Sequence, residues 1–259
     1  METVTSKDGT AIAFDRSGEG PPVVLVSGGS VDRRSNAPLA ERLASDFTAF
    51  NYDRRGRGPS GDTPPYAVQR EIEDIDAVIG AAGGSAHLYG SSSGAALALE
   101  AAAAGLAITK LALWEPPWSV DESRPRPPGD TAKVFTELVE AGRRDDAVEH
   151  FMAKVVGLPP EFVAGARQSP FWGDTVALAH TLAYDATIMG DYVFPRERLG
   201  GVTVPTLVLD GGASFGFMGE TARLIADTLP NGQHRTLEGQ DHNVDPSVLA
   251  PALAEFFKA

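Results

Sequence analysis

Among the side chains able to do covalent chemistry, the central serine of Gly90-Ser91-Ser92-Ser93-Gly94 has the most telling neighbours. Glycines two positions to either side allow a sharp turn with close backbone approach, the setting a hydroxyl needs to project from between a strand and a helix. A serine hydroxyl is a weak nucleophile at neutral pH and requires an adjacent base to accept its proton. Imidazole suits that task, and it needs in turn a carboxylate to fix its tautomer and stabilise the imidazolium. The chain has five histidines. His87 and His234 fall in predicted strands and His150 and His180 on predicted helices, whereas His242 lies in the loop Glu238-Gly239-Gln240-Asp241-His242-Asn243 after the last predicted strand. Ser92 and His242 are therefore the expected nucleophile and base of an acyl-transfer reaction.

The surrounding pattern predicts elements able to hold them. Ser85 to Tyr89 reads as a short buried strand, and the alanine-rich run from Ala95 to Ala104 as a helix that stops at Gly105, so Ser92 sits on a strand-to-helix turn. Upstream, Thr3-Val4-Thr5 and Ala11 to Phe14 alternate about Asp8-Gly9, a hairpin signal. Val23-Val24-Leu25-Val26 is a continuous apolar run of the kind found in strands buried on both faces, and it ends in Ser27-Gly28-Gly29-Ser30. A short helix over Leu39 to Leu43, a strand over Phe47 to Tyr52 and an amphipathic helix over Glu71 to Ala82 lead to the central strand. After it, Ile108 to Trp114 forms a strand that Pro116-Pro117 terminates, leaving Glu115 at its C-terminal edge. Strand and helix alternate, which argues for an α/β protein with a mostly parallel sheet of about eight strands and helices on both faces.

Between 116 and 200 the pattern changes. Beyond a linker at 124–129, the stretches 131–141, 145–156, 161–167 and 175–188 read as helices without intervening strands, an all-helical lid inserted into a core of 1–115 and 201–259. Its aromatic residues, Trp118 and Trp172 among them, are mostly lid core, with about a third left to face a substrate cavity. The sheet resumes at Val204 to Gly212, followed by a helix over Ala222 to Leu229, a strand over His234 to Leu237 and a last helix over Leu249 to Phe257.

A formal net charge of −13 repels nucleic acid and anionic membrane surfaces, so the expected partner is a small molecule. There is no cysteine, which removes disulfides, thiolate catalysis and zinc-thiolate sites. No His/Asp/Glu cluster has metal-ligand spacing, and no glycine loop has dinucleotide or P-loop spacing, so neither a metal nor another cofactor is expected. The N-terminus lacks the basic start and apolar stretch of a secretory signal, and no segment reaches the ~18 apolar residues of a membrane span. A cytoplasmic location is expected; oligomeric state is not legible.

The Gly-x-Ser-x-Gly turn, the late histidine loop and the string Asp53-Arg54-Arg55-Gly56-Arg57-Gly58-Pro59-Ser60 together resemble the α/β-hydrolase superfamily, over nearly the whole chain. The resemblance implies a carboxylesterase-like serine hydrolase. It places backbone oxyanion donors at Gly29 and Ser93, although Ser27 stands where the family usually has histidine. It gives the Asp53 to Ser60 string a structural job, with an anion site built from Arg54, Arg55 and Arg57 as the sharper alternative. The commonest position for the acid falls on Ser214, which cannot hold that charge. Two strand-end carboxylates remain, Glu115, which matches relatives with the acid at this strand end, and Asp210. Glu115 is the preferred reading. Trp118, Trp172, Phe215 and Met218 are the expected substrate contacts, favouring esters of small to medium apolar acids. The same residues would also serve a cofactor-free lyase or perhydrolase, a pathway-specific enzyme of secondary metabolism, or a non-catalytic ligand-binding protein of this fold.

Overall fold

The computed structural model describes residues 1–120 and 126–259. Asp8-Gly9 closes an antiparallel hairpin of β1 (Glu2–Thr5) and β2 (Ala11–Ser17), with Gly9 at φ 89° as the turn requires. There follow β3 (Pro22–Val26), α1 (Ala37–Leu43), β4 (Thr48–Tyr52), α2 (Val68–Ala81), β5 (Ala86–Ser91), α3 (Ser93–Ala103) and β6 (Ile108–Trp114). The eight strands form one sheet in the order β1-β2-β4-β3-β5-β6 and then the two strands that follow the helical insertion. From β4 onward across the sheet every pairing is parallel; only β1 with β2 and β2 with β4 are antiparallel.

The apolar runs are explained by burial on both faces. Along β3, Val24 and Val26 join a cluster under α2 and α3, while Val23 and Leu25 join the opposite cluster under α1 and the C-terminal helix. Leu111 and Leu113 of β6 likewise face one side and Ala112 and Trp114 the other, the period of two that a strand imposes. The helix α3 is buried nearly all round, which its small alanine side chains permit.

Between β6 and the next strand lie α4 (Thr131–Glu140), α5 (Arg144–His150), α6 (Pro160–Arg167), α7 (Trp172–Ala177), α8 (Leu182–Met189) and α9 (Arg196–Leu199), and among the described residues no strand. Of the linker expected at 124–129, Arg124 and Pro125 lie outside the described residues. Two expected helices are interrupted. The stretch 145–156 leaves α-geometry at Phe151 and continues as a π-helical segment, Phe151–Val156, a widening that turns Phe151, Val155 and Val156 toward the central cavity. The stretch 175–188 is split by a 3₁₀ turn at Ala179–Thr181, where Arg144 takes the carbonyl of Ala177 and the Thr181 hydroxyl takes that of Leu178.

The sheet closes with β7 (Thr206–Gly211), α10 (Gly216–Thr228), β8 (Gly232–Leu237) and α11 (Pro246–Lys258). Both last helices begin earlier than their apolar spacing predicts. Pro246 at the first turn, with Asp245 accepting from the Ser247 N–H, starts α11. No helix among the described residues is long and apolar enough to cross a membrane.

Candidate active site

The chain order reverses across the sheet between β3 and β5, and it is at the C-terminal edge beside this switch that functional side chains gather. Ser92 follows β5 with φ 54° and ψ −127°, a region that costs a non-glycine residue about 1–3 kcal/mol. The turn is held from both sides: the Ser92 N–H donates to Trp114 O at 2.8 Å, and Ser92 O accepts from the Ala95 N–H at 2.9 Å. A Cβ on Gly90 would lie 2.4 Å from Gly94 O, and one on Gly94 2.3 Å from Ser27 O. Both glycines are thus demanded by the close approach of strand, turn and helix.

Glu115, fully buried and at φ 44°, directly follows β6. Its Oε2 lies 2.6 Å from His242 Nδ1 and accepts from the Ser214 hydroxyl at 2.9 Å, while Oε1 accepts from the Gly211 N–H at 2.8 Å. The Trp114 indole N–H donates to His242 O at 3.0 Å, fixing the loop from a second direction. A proton on Nδ1 donating to the carboxylate leaves Nε2 free as an acceptor. The other carboxylate considered, Asp210, is engaged elsewhere: its Oδ1 lies 2.6 Å from His234 Nε2 and accepts from the Thr236 hydroxyl at 3.0 Å, both on β8.

Gly29, just beyond β3, and Ser93, the first residue of α3, lie side by side. A Cβ on Gly29 would sit 3.4 Å from Ser93 Oγ and 3.1 Å from Asp185 Oδ2. Neither backbone N–H has an acceptor among the described residues. Asp185, from α8, is the residue that sequence reasoning missed. Its carboxylate accepts from the Ser93 hydroxyl at 2.8 Å, from Arg54 at 2.8 Å and from Arg57 at 2.9 Å. Arg54 also pairs with Glu71 through two bonds of 2.7 Å, and Arg57 donates to the carbonyls of Gly28 and Val31. Arg55 pairs with Asp74 and Asp8. All three arginines are matched by carboxylates, which favours the structural reading of the Asp53 to Ser60 string over an anion site. Burial pushes the Asp185 carboxyl up, but the flanking Arg57 and Arg54 guanidinium groups and the Ser93 hydroxyl outweigh it and hold the group below the usual carboxylate range. The only signal for Asp185 is an acid set among Leu182, Ala186 and Met189 on an otherwise apolar helix.

Ser92, His242, Gly29 and Ser93 share the wall of one cavity of about 470 Å³. Phe215 and Met218, two of the expected substrate contacts, also line it. Trp118 and Trp172, the other two expected substrate contacts, do not. Trp118 is 1% exposed within the main core, where its ring packs against Phe194 at 5.5 Å and its carbonyl accepts from the Thr221 hydroxyl. Trp172 packs among the insertion's own apolar residues, and its indole N–H donates to Asp145 at 2.8 Å. Trp172 thus packs within the insertion and Trp118 within the main core against Phe194, and the cavity wall comes instead from residues such as Phe135, Phe151, Leu182 and Met189.

A model of the alpha/beta hydrolase family matches residues 23–255. An alpha/beta hydrolase of known structure from Sphaerobacter thermophilus is 56% identical, superposes with a TM-score of 0.94, and the match covers 99% of this chain and 100% of that one. Curated relatives match over shorter stretches. An N-formylmaleamate deformylase of Pseudomonas putida is 38% identical over 106 residues, 39% of this chain and 40% of that protein. The uncharacterized hydrolase YraK of Bacillus subtilis is 32% identical over 96 residues, 36% of this chain and 35% of that protein. The aligned stretches thus span well under half the length of the curated relatives.

Proposed function

The chain belongs to the alpha/beta hydrolase family, and from that premise we propose that it is a serine hydrolase cleaving a carboxylic ester, or similar acyl bond, of a small and largely apolar molecule through an acyl-enzyme intermediate. Ser92 Oγ attacks the acyl carbonyl while His242 Nε2 takes its proton, and Glu115 stabilises the imidazolium through Nδ1. The carbonyl oxygen, as it becomes an oxyanion, accepts from the free N–H groups of Gly29, beyond β3, and of Ser93 at the N-terminus of α3. His242 then returns the proton to the leaving oxygen, and water repeats the sequence on the acyl-enzyme to release the acid.

The observation that supports this reading most is the pairing of His242 Nδ1 with buried Glu115 at 2.6 Å, with His242 and Ser92 on the wall of the same cavity. The substrate class follows from that wall. Among the described residues it contains no Lys or Arg, and its large side chains are aromatic and aliphatic, so an uncharged apolar substrate is favoured. A fluorophosphonate probe and a panel of p-nitrophenyl esters from acetate to decanoate test the proposal. Labelling and turnover that vanish in Ser92→Ala are expected, and a folded wild-type protein that neither labels nor turns over any ester would overturn it.

A further inference from the structure

Asn36 stands at the start of α1, on the wall of the cavity that Ser92 and His242 share. It is 7% exposed, and its amide nitrogen has no hydrogen-bond partner. Of the buried side-chain polar atoms without a partner among the described residues, this is the one that belongs to a residue lining the cavity. An asparagine just before a helix ordinarily turns back to cap it. Here the backbone is already helical, at φ −94° and ψ −3°, and the side chain makes no capping bond.

The turn that presents Asn36 is anchored from behind. Arg33 O accepts from the Asn51 side-chain amide at 2.8 Å, and the Arg33 N–H donates to Asp53 at 2.8 Å. A buried amide nitrogen with an unmet hydrogen-bonding need, on a largely apolar wall that Leu39 and Val31 also line, is suited to meeting a polar group of a bound molecule. A primary amide donates to a carbonyl oxygen through its NH₂ edge or accepts from a hydroxyl through its oxygen. Among the described residues the wall carries no Lys or Arg to meet an anion, and its one carboxylate, Asp185, is already paired with Arg54 and Arg57, so an uncharged complementary group fits best.

We propose that Asn36 is a specificity-determining residue that hydrogen-bonds a second oxygen function of the substrate, a ketone or hydroxyl remote from the scissile carbonyl. The preferred substrates are then oxygenated esters, not plain alkyl ones. The inference rests on the serine-hydrolase reading above.

Two panels of probes test it: p-nitrophenyl hexanoate against p-nitrophenyl esters of oxo- and hydroxyhexanoic acids, and hexyl acetate against oxo- and hydroxyhexyl acetates. A site built to meet a polar group is expected to favour the best oxygenated member of one panel over its alkyl counterpart by about tenfold or more in kcat/KM. In Asn36→Leu that ratio should fall to about one, and Asn36→Ala serves the same purpose if the leucine variant does not fold. Ser92-dependent hydrolysis with no such preference in either panel, or a preference that survives both substitutions, overturns the proposal while leaving the hydrolase reading intact. Absence of both probe labelling and ester turnover would remove the hydrolase reading and this inference with it.

Discussion

Glu115 is held by three donors: the Ser214 hydroxyl, the Gly211 N–H and the His242 ring. Ser214, which cannot itself carry the charge, thereby supports the carboxylate that follows the neighbouring strand. Replacing Glu115 with Gln keeps the volume but turns the carboxylate into an amide that cannot stabilise the imidazolium. Glu115→Gln is expected to lower kcat on a p-nitrophenyl ester by about 10³- to 10⁴-fold. Asp210→Asn should stay within about threefold of wild type, because that carboxylate serves His234 and Thr236. Steady-state kinetics on variants with native circular dichroism distinguishes the two, and a reversed outcome would move the acid's role to Asp210.

The turn between β5 and α3 depends on what surrounds it. A methyl group on Gly94 would meet the backbone of Ser27, which has no flexible atom to give way. Gly94→Ala should cost about 2–3 kcal/mol in urea unfolding and impair turnover, since β3 also bears Gly29 at its end. The helix α8 is tied to the same corner by Asp185. Removing its charge takes from buried Arg57 the carboxylate it pairs with and leaves Arg54 paired with Glu71, so Asp185→Asn is expected to destabilise by about 3–5 kcal/mol at pH 7. Because the folded state holds this carboxyl below its usual range, the carboxylate's contribution is fully present above the unfolded value near pH 4 and fades as pH falls through the lower folded one. The stability gap between wild type and Asp185→Asn should therefore narrow below about pH 4; a gap independent of pH would show that the charge is not what stabilises the corner.

Across the whole molecule, three histidines outside the candidate site bear on acid stability. Burial, helped by Lys110, lowers His87 to about 4, and burial also lowers His150 and His180. Near pH 7 both folded and unfolded chains are largely neutral at these positions. Below about 6.5 the unfolded chain takes up protons that the folded chain refuses, so stability should decline as pH falls from about 6.5 toward 4. His87 stacks on Phe257 with ring centroids 4.7 Å apart, a packing that phenylalanine can retain. His87→Phe should flatten this decline in denaturant midpoints measured from pH 7 to 4, and an unchanged slope would assign the effect elsewhere.

The order of strands and helices, the Gly-x-Ser-x-Gly turn and the loop that bears His242 were determined by sequence alone, because apolar period, proline and glycine act over a few residues. Contacts between distant segments were not legible in this way. The interruption of the expected helix at 175–188 depends on Arg144 reaching Ala177, and the positions of Trp118 and Trp172 depend on what packs around them. Tertiary structure alone decided that Glu115, and not Asp210, stands behind His242. Both end neighbouring strands, and which one meets the imidazole depends on which way each side chain leaves its strand and where the loop after β8 crosses the sheet edge. The same holds for Asn36, a polar residue at a short helix start whose burial without a partner on the cavity wall is not visible in the local sequence.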